Sequence, residues 1–300
     1  MKENMKLGGS FRLAGTSLSV NRMGYGAMQL AGQDGEKRVW GPPRDIPGAI
    51  AVLREAVASG VDHIDTSDFY GPHVTNQIIK QALHPYPDNL LIVTKVGARR
   101  GADGSWHQAR SRHEIIDAVH DNLRNLGLDA LQVVNLRLRG FAAPEDEPFE
   151  EPLSALAELK QQGLVQHIGL STVSPRQLAD AQAITDIVCI QNLYNVAQRG
   201  DDRFIDDLAA SGIAYVPYFP LGGFSPLQSE ELKAVAASMQ ATPMQVALAW
   251  LLHRGPNILL IPGTSSAGHL RENLAAAAIE LPQETIALLD QIGSAAMRAT

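Results

Sequence analysis

Residues 111–136, SRHEIIDAVHDNLRNLGLDALQVVNL from Ser111 to Leu136, hold a helix start, a helix, its stop and the strand that follows. Ser111 and Glu114 stand at the spacing where a serine hydroxyl and a glutamate carboxylate satisfy the exposed amides of a helix N-terminus. Ile115, Val119, Leu123 and Leu126 then recur at helical period, so one apolar face must lie against other apolar surface. Gly127 ends the helix, because glycine takes the left-handed conformation after the last turn without steric cost. Leu131 to Leu136 is a mostly apolar run, too short for a helix and of the length of a buried strand.

The succession of helix, glycine and apolar segment returns at Gly60, Gly163 and Gly212. Short apolar runs fall between the helices: Met23 to Ala27, Asp62 to Asp65, Leu90 to Val96, Leu131 to Leu136, Gln166 to Leu170, Ile187 to Gln191, Ile213 to Tyr218 and Ile258 to Ile261. Near-continuous apolar strands alternating with helices indicate a parallel sheet covered on its faces. Eight such units in about 250 residues is the usual length of a (β/α)8 TIM barrel, an α/β fold. An open doubly wound sheet is the alternative. Phe11 to Val20, with a turn near Ala14-Gly15-Thr16, reads as an N-terminal β-hairpin closing the bottom of a barrel, which an open sheet would not need. Thr242 and Pro243, a cap followed by a first-turn proline, open a helix through Val246, Leu248, Trp250 and Leu251 that is apolar enough to predict deep burial. No linker-like stretch divides the chain, so one domain over residues 1–300 is expected.

The chain is 45% hydrophobic and 19% charged with a net charge of −7, which would repel a nucleic-acid backbone. No run approaches the ~18 apolar residues of a membrane span, and Met1 to Ser10 has no apolar signal segment. A cytoplasmic protein with a small-molecule partner, no nucleic acid and no membrane, is expected. The lone Cys189 lies in Ile187-Val188-Cys189-Ile190 and reads as a small buried hydrophobe.

The densest polar cluster, His63-Ile64-Asp65-Thr66-Ser67-Asp68-Phe69-Tyr70-Gly71, ends the second strand, and Lys95 ends the third. Strand C-termini are where barrel enzymes place their chemistry. Asp65 and Lys95, on adjacent strands, could meet there, and an ammonium beside Tyr70 would ease release and return of its phenolic proton. The other reading is an Asp–Lys pair that stabilises a strand end under a packed tyrosine. Gly97 to Arg110 and Arg139 to Glu150 follow strands and belong to the same rim, with Glu145, Asp146, Glu147 and Glu150 as a solvated loop. Gly24-Tyr25-Gly26 lacks the third glycine of a dinucleotide fingerprint. His107, His113 and His120 are not at zinc-ligand positions, and no metal is expected.

Gly60-Val61-Asp62-His63-Ile64-Asp65-Thr66-Ser67-Asp68-Phe69-Tyr70-Gly71, with Val93-Thr94-Lys95, resembles the signature of the aldo-keto reductases. Further stretches match in order: Leu126-Gly127-Leu128-Asp129, His167-Ile168-Gly169-Leu170-Ser171, Gln191-Asn192-Leu193-Tyr194, Tyr218-Phe219-Pro220-Leu221-Gly222, and Ile261-Pro262-Gly263-Thr264 with Glu272-Asn273. Together they span nearly the whole chain. Gly24 to Gly32, Gly41-Pro42-Pro43-Arg44-Asp45 and Asp68-Phe69-Tyr70-Gly71-Pro72-His73 are similar to a bacterial branch of that family that reduces pyridoxal. The resemblance implies a barrel, Tyr70 as general acid, Lys95 as the group that activates it and Asp65 as the group that holds Lys95. Where the family usually has a histidine, at the end of the fourth strand, Arg137 stands. Arginine keeps donors and could orient a carbonyl, but could not relay a proton; a cation bracing the rim is the other reading. Asn135, two residues earlier on the same face, could supply an amide donor.

The resemblance also implies NADP (NADPH) as cofactor. Ser171 and Gln191 would bind the nicotinamide carboxamide, with Thr172 replacing a usual asparagine, and Tyr218 would stack on the ring. Gly26, Ala27, Met28 and Asp65 would be further cofactor-binding positions. Leu221, Gly222 and Gly223 would line the pyrophosphate, with Phe219 and Pro220 as further cofactor-binding positions. After Pro262, another cofactor-binding position, Gly263, Thr264, Ser265 and Ser266 precede a helix whose N-terminus could bind the phosphate of the adenosine half. His269, Glu272 and Asn273 would face the adenosine, without the lysine or arginine that many relatives carry there. The expected function is NADPH-dependent reduction of a small carbonyl, pyridoxal to pyridoxine by the narrower likeness. A cofactor-binding homologue with weak turnover, acting as a sensor or subunit, is the alternative that the loss of the histidine suggests; Asp65, Tyr70 and Lys95 favour the enzyme.

Overall fold

The computed structural model describes residues 7–32, 38–138, 147–223, 227 and 229–298, the last helix by its backbone alone beyond residue 293. Strands run in chain order as β1 (Ser10–Arg12), β2 (Ser19–Asn21), β3 (Tyr25–Gly26), β4 (His63–Asp65), β5 (Leu91–Val96), β6 (Ala98–Arg100), β7 (Trp106–Gln108), β8 (Leu131–Arg137), β9 (Val165–Ser171), β10 (Ile187–Gln191) and β11 (Ala214–Tyr215). The helices are α1 (Ile46–Ala58), α2 (Val74–Leu83), α3 (Arg112–Leu126), α4 (Glu150–Gln161), α5 (Pro175–Gln182), α6 (Asp202–Ala210), α7 (Glu230–Ser238), α8 (Pro243–Arg254), α9 (Ala267–Ala275) and α10 (Gln283–Arg298).

Strands β3, β4, β5, β8, β9, β10 and β11 lie side by side, every pair parallel. The segment 257–261 closes the ring as an eighth stave. Tyr215 N donates to Asn257 O over 2.9 Å on one side, and Gly24 N to Leu260 O over 2.8 Å on the other. Parallel bridges Tyr215–Ile258 and Met23–Leu260 mark the same closure. The expected barrel is therefore observed and the open sheet is not. The expected first, seventh and eighth strands are shorter in regular pairing than their apolar runs, because only part of each run lies in register with a neighbour. Closure also explains two glycines outside any nucleotide fingerprint. A Cβ on Gly26 would stand 2.4 Å from Ile261 O, and one on Gly24 would stand 2.2 Å from the His63 ring.

The hairpin β1–β2 seals the lower end as expected. Its Leu13 and Val20 join Leu91, Val133, Val188, Cys189, Ala214 and Leu259 in one buried cluster inside the ring. Each leucine or valine among them contributes on the order of 2 kcal/mol when fully buried. Cys189 is 3% exposed, and burial pushes its thiol up to about 12. Outside the ring, Ile115, Val119, Leu123 and Leu126 of α3 are all buried, and the reciprocal cap of Ser111 and Glu114 is formed. The cap of Thr242 and Gln245 likewise opens α8, with Val246, Leu248, Trp250 and Leu251 buried. Gly60, Gly127, Gly163 and Gly212 all have positive φ, 98°, 69°, 80° and 69°. No single helix among the described residues is long and apolar enough to cross a membrane.

Rim loops follow the strands at the upper end. Gly97 to Arg110 folds into the antiparallel pair β6–β7. Of Arg139 to Glu150, residues 139–146 lie outside the described residues, Glu145 and Asp146 among them. Glu147 accepts from Arg110 Nη2 at 2.7 Å and Glu150 heads α4, so these two have structural partners beyond solvent.

Candidate active site

Alternation along the inner face of each strand decides what reaches the mouth. On β5, Val93 borders the inner cluster, so Lys95 stands one layer above it. On β8, Val133, Asn135 and Arg137 alternate inward in the same way. The end of β4 brings Asp65 beside β5, and Lys95 Nζ donates to Asp65 Oδ1 over 2.5 Å and to Thr66 O over 2.9 Å. After β4 the chain turns, Tyr70 N donating to Ser67 O at 3.1 Å, and this folds the Tyr70 side chain over the barrel. Lys95 Nζ lies 3.3 Å from Tyr70 Oη. From the far side Gln191, at the end of β10, donates through Nε2 to Asp65 Oδ2 at 2.9 Å. Asp65, Lys95, Tyr70 and Gln191 are 4%, 4%, 6% and 1% exposed, so the ion pair is nearly dry and both carboxylate oxygens are engaged.

Tyr70, Lys95 and Gln191 border two adjoining cavities. One, of about 610 Å³, runs between Gly26, Met28 and Gln29 on one side and Tyr218, Phe219, Pro220, Leu221 and Gly223 on the other, reaching Pro262 and Gly263. The second, of about 410 Å³, is walled by Trp106, Arg137, Ser171, Thr172 and Tyr218. Thr172 Oγ1 and Tyr218 Oη are 3.5 Å apart, and burial raises the Tyr218 hydroxyl above its ordinary range. Thr172 and Phe219 sit at φ 62° and 56°, the left-handed region.

Arg137 is 9% exposed and lays its guanidinium 5.3 Å from the centre of the Phe69 ring. Asp68, 7% exposed, feels that charge; burial still pushes its carboxyl up to about 7. Asn135 sits a layer below the mouth and lines neither cavity. Its Oδ1 accepts from Cys189 Sγ at 3.2 Å, and its Nδ2 is buried with no partner. The expected donor role toward the mouth thus gives way to a position inside the ring, because one residue pair along a strand is a whole layer of depth.

Other expected residues are more dispersed. Ala27 is fully buried and packs into the core, and Gly222 borders neither cavity. Thr264 is buried and its Oγ1 accepts from Ser266 N at 3.0 Å; Ser266 caps α9. Ser265, His269 and Glu272 are exposed, and Asn273 is buried on α9. None of these borders the two cavities. Three lining residues went unsingled in the sequence: Gln29, Ile261 and Trp106. Trp106 carried a signal, a tryptophan in a rim loop, but its inward turn comes from β6–β7, where its ring meets Phe69 edge-on at 4.2 Å. Among the described residues no group of three or more His, Cys, Asp or Glu is placed to hold a metal.

A closed parallel barrel sealed by a hairpin below, with a buried Asp–Lys pair reaching a tyrosine at its mouth, defines a class. The profile of the aldo/keto reductase family matches residues 22–294, and the chain belongs to that family. It is 65% identical over 276 residues to the pyridoxine 4-dehydrogenase of Escherichia coli (strain K12), an alignment covering 91% of this chain and 95% of that protein. Among solved structures, a thermostable aldo-keto reductase bound to the inhibitor epalrestat superposes with a TM-score of 0.79 at 29% identity, over 95% of this chain and 99% of that one. An aldo/keto reductase from Klebsiella pneumoniae, solved with NADP and acetate, has the same fold with a TM-score of 0.75 at 24% identity, over 94% of both chains.

Proposed function

We propose that the chain is an NADPH-dependent carbonyl reductase that acts on an aldehyde, pyridoxal, and yields the alcohol pyridoxine. The observation that carries this reading is the Lys95 ammonium shared between Asp65 Oδ1 and Tyr70 Oη at the junction of the two cavities. The 65% identity to a pyridoxine 4-dehydrogenase supports the choice of aldehyde.

The residues at the junction fit a nicotinamide carboxamide. Gln191 Oε1 is a buried acceptor with no partner, and an amide N–H is the group that would satisfy it. Ser171 and Thr172 border the same space, and Tyr218 presents its ring there. When bound, NADPH supplies the hydride and is itself oxidised. Tyr70 Oη gives its proton to the carbonyl oxygen as the carbonyl carbon is reduced, and takes a proton back from solvent afterwards. Lys95 stabilises the phenolate that this leaves, while Asp65 and Gln191 hold the ammonium in place against the cost of burying it. Arg137 adds positive charge on the side of the cavity that Trp106 borders.

Oxidation of NADPH by purified protein with pyridoxal, followed at the nicotinamide absorbance and repeated with NADH, tests the reading. Turnover with NADPH that yields pyridoxine is expected. No turnover of pyridoxal or of plain aromatic aldehydes would overturn it.

A further inference from the structure

Lys95 and Arg137 are the two cations among the described residues that line the cavities. They are in opposite situations. Lys95 is matched by Asp65 at 2.5 Å. Arg137 is more than nine-tenths buried, rests on the Phe69 ring, and has no described carboxylate within ion-pair distance. A buried charge without a counter-ion is costly, and the usual resolution is an anion brought by the ligand. Asp68 feels the guanidinium but lies beyond ion-pair distance of it, and burial pushes its carboxyl up against that pull. Phe69 lies against one side of the guanidinium, its ring centre 5.3 Å away, the arrangement in which a cation is attracted to an aromatic face.

We propose that Arg137 is the specificity-determining residue for aldehydes that carry an ionised hydroxyl ortho to the carbonyl, the arrangement present in the 3-hydroxypyridine-4-aldehyde ring of pyridoxal. This rests on the carbonyl-reductase reading above. A guanidinium presents two parallel N–H groups, and two oxygens on adjacent ring substituents match that fork. The interaction also answers a chemical difficulty. An ortho phenolate feeds electron density into the aldehyde and makes its carbon a poorer hydride acceptor; pairing that oxygen with Arg137 draws the density back. One cation suits one negative charge, so an aldehyde bearing an additional phosphate dianion lacks a matching group among the described lining residues.

The test compares 2-hydroxybenzaldehyde with 2-methoxybenzaldehyde, which has the same skeleton and no ionisable oxygen, in the wild type and in Arg137→Met and Arg137→Lys. In the wild type the ratio of kcat/KM values for the pair should rise as pH passes through the ionisation of the free hydroxyaldehyde. Arg137→Met should reduce that ratio by about tenfold or more, the usual worth of a hydrogen-bonded charge, and Arg137→Lys should restore part of it. Calorimetric binding of both aldehydes to the NADP⁺-loaded protein, where no reduction can proceed, should show the same loss of preference. A wild type with no pH-dependent preference, or a variant in which both aldehydes fall by one common factor, would overturn the proposal. Absence of turnover for every aldehyde with NADPH would instead strike the underlying function, and the binding preference would still decide the role of Arg137.

Discussion

Gln191 donates to Asp65 Oδ2 over 2.9 Å across 126 positions of sequence, and this leaves its Oε1 buried with no partner. One side chain therefore joins the ion pair to the space beside it. Gln191→Met removes both connections at little change in volume. The affinity for NADPH should fall by roughly tenfold, the worth of a buried hydrogen bond, and kcat should fall as well because Asp65 is less well held. Nucleotide titration by fluorescence together with steady-state kinetics checks this; unaltered nucleotide affinity would place the nicotinamide elsewhere.

Tyr70→Phe keeps the ring and removes the hydroxyl that lies 3.3 Å from Lys95 Nζ. Turnover should drop by about 10²- to 10⁴-fold, the contribution of a positioned general acid, with nucleotide affinity little changed. Lys95→Met should be as damaging to kcat and also destabilise the fold, by about 3–5 kcal/mol, since it strands Asp65 as a buried unpaired charge. Chemical denaturation of the two variants separates the effects: Tyr70→Phe should unfold close to the wild type and Lys95→Met well before it.

Asp68 offers a pH test. Its carboxyl is pushed up to about 7 by burial, against the pull of Arg137, whereas an unfolded chain leaves an aspartate near ~4. Between those values the folded form holds a proton that the unfolded form has released, so stability falls as pH rises from about 4 and levels off above about 7. Asp68→Asn cannot lose a proton and escapes that slope. The variant should gain on the wild type by ~2–4 kcal/mol between pH 4.5 and pH 8. Denaturation midpoints of both proteins across that range measure it; parallel curves would mean that Asp68 does not titrate as described.

Thr172 occupies the left-handed region at φ 62°, where a β-branched residue is strained. Asparagine tolerates that conformation better. Thr172→Asn should therefore raise the thermal midpoint, corresponding to about 1 kcal/mol, at the loss of the 3.5 Å approach to Tyr218 Oη. A lower midpoint would mean that the contact outweighs the backbone strain.

Much of the barrel could be read from the chain because its signals are short in range. The cap of Ser111 and Glu114, the stripe from Ile115 to Leu126 and the left-handed Gly127 all lie within seventeen consecutive residues, where helical geometry alone dictates who meets whom. The cluster from His63 to Gly71 and the lone ammonium of Lys95 stood out for a related reason: charged groups ending apolar strands need partners. Family likeness added the catalytic roles of Asp65, Lys95 and Tyr70, where strand position alone left a structural ion pair as the other reading.

Depth and closure depend on contacts far apart in the chain, and no local pattern encodes them. Whether Asn135 reaches the mouth or stays below it follows from where β8 sits against β5 and β9, and that shear is a property of the closed ring. The eighth stave is placed by the bridges Tyr215–Ile258 and Met23–Leu260, the second of which joins the two ends of the chain. Trp106 faces the cavity because β6 and β7 pair and turn it inward. Arg137 stood out in the chain as the residue in the place of the family's histidine, but only the fold buries it beside Phe69 with no described carboxylate within ion-pair distance, and burial is what turns an ordinary charge into one that demands an anion.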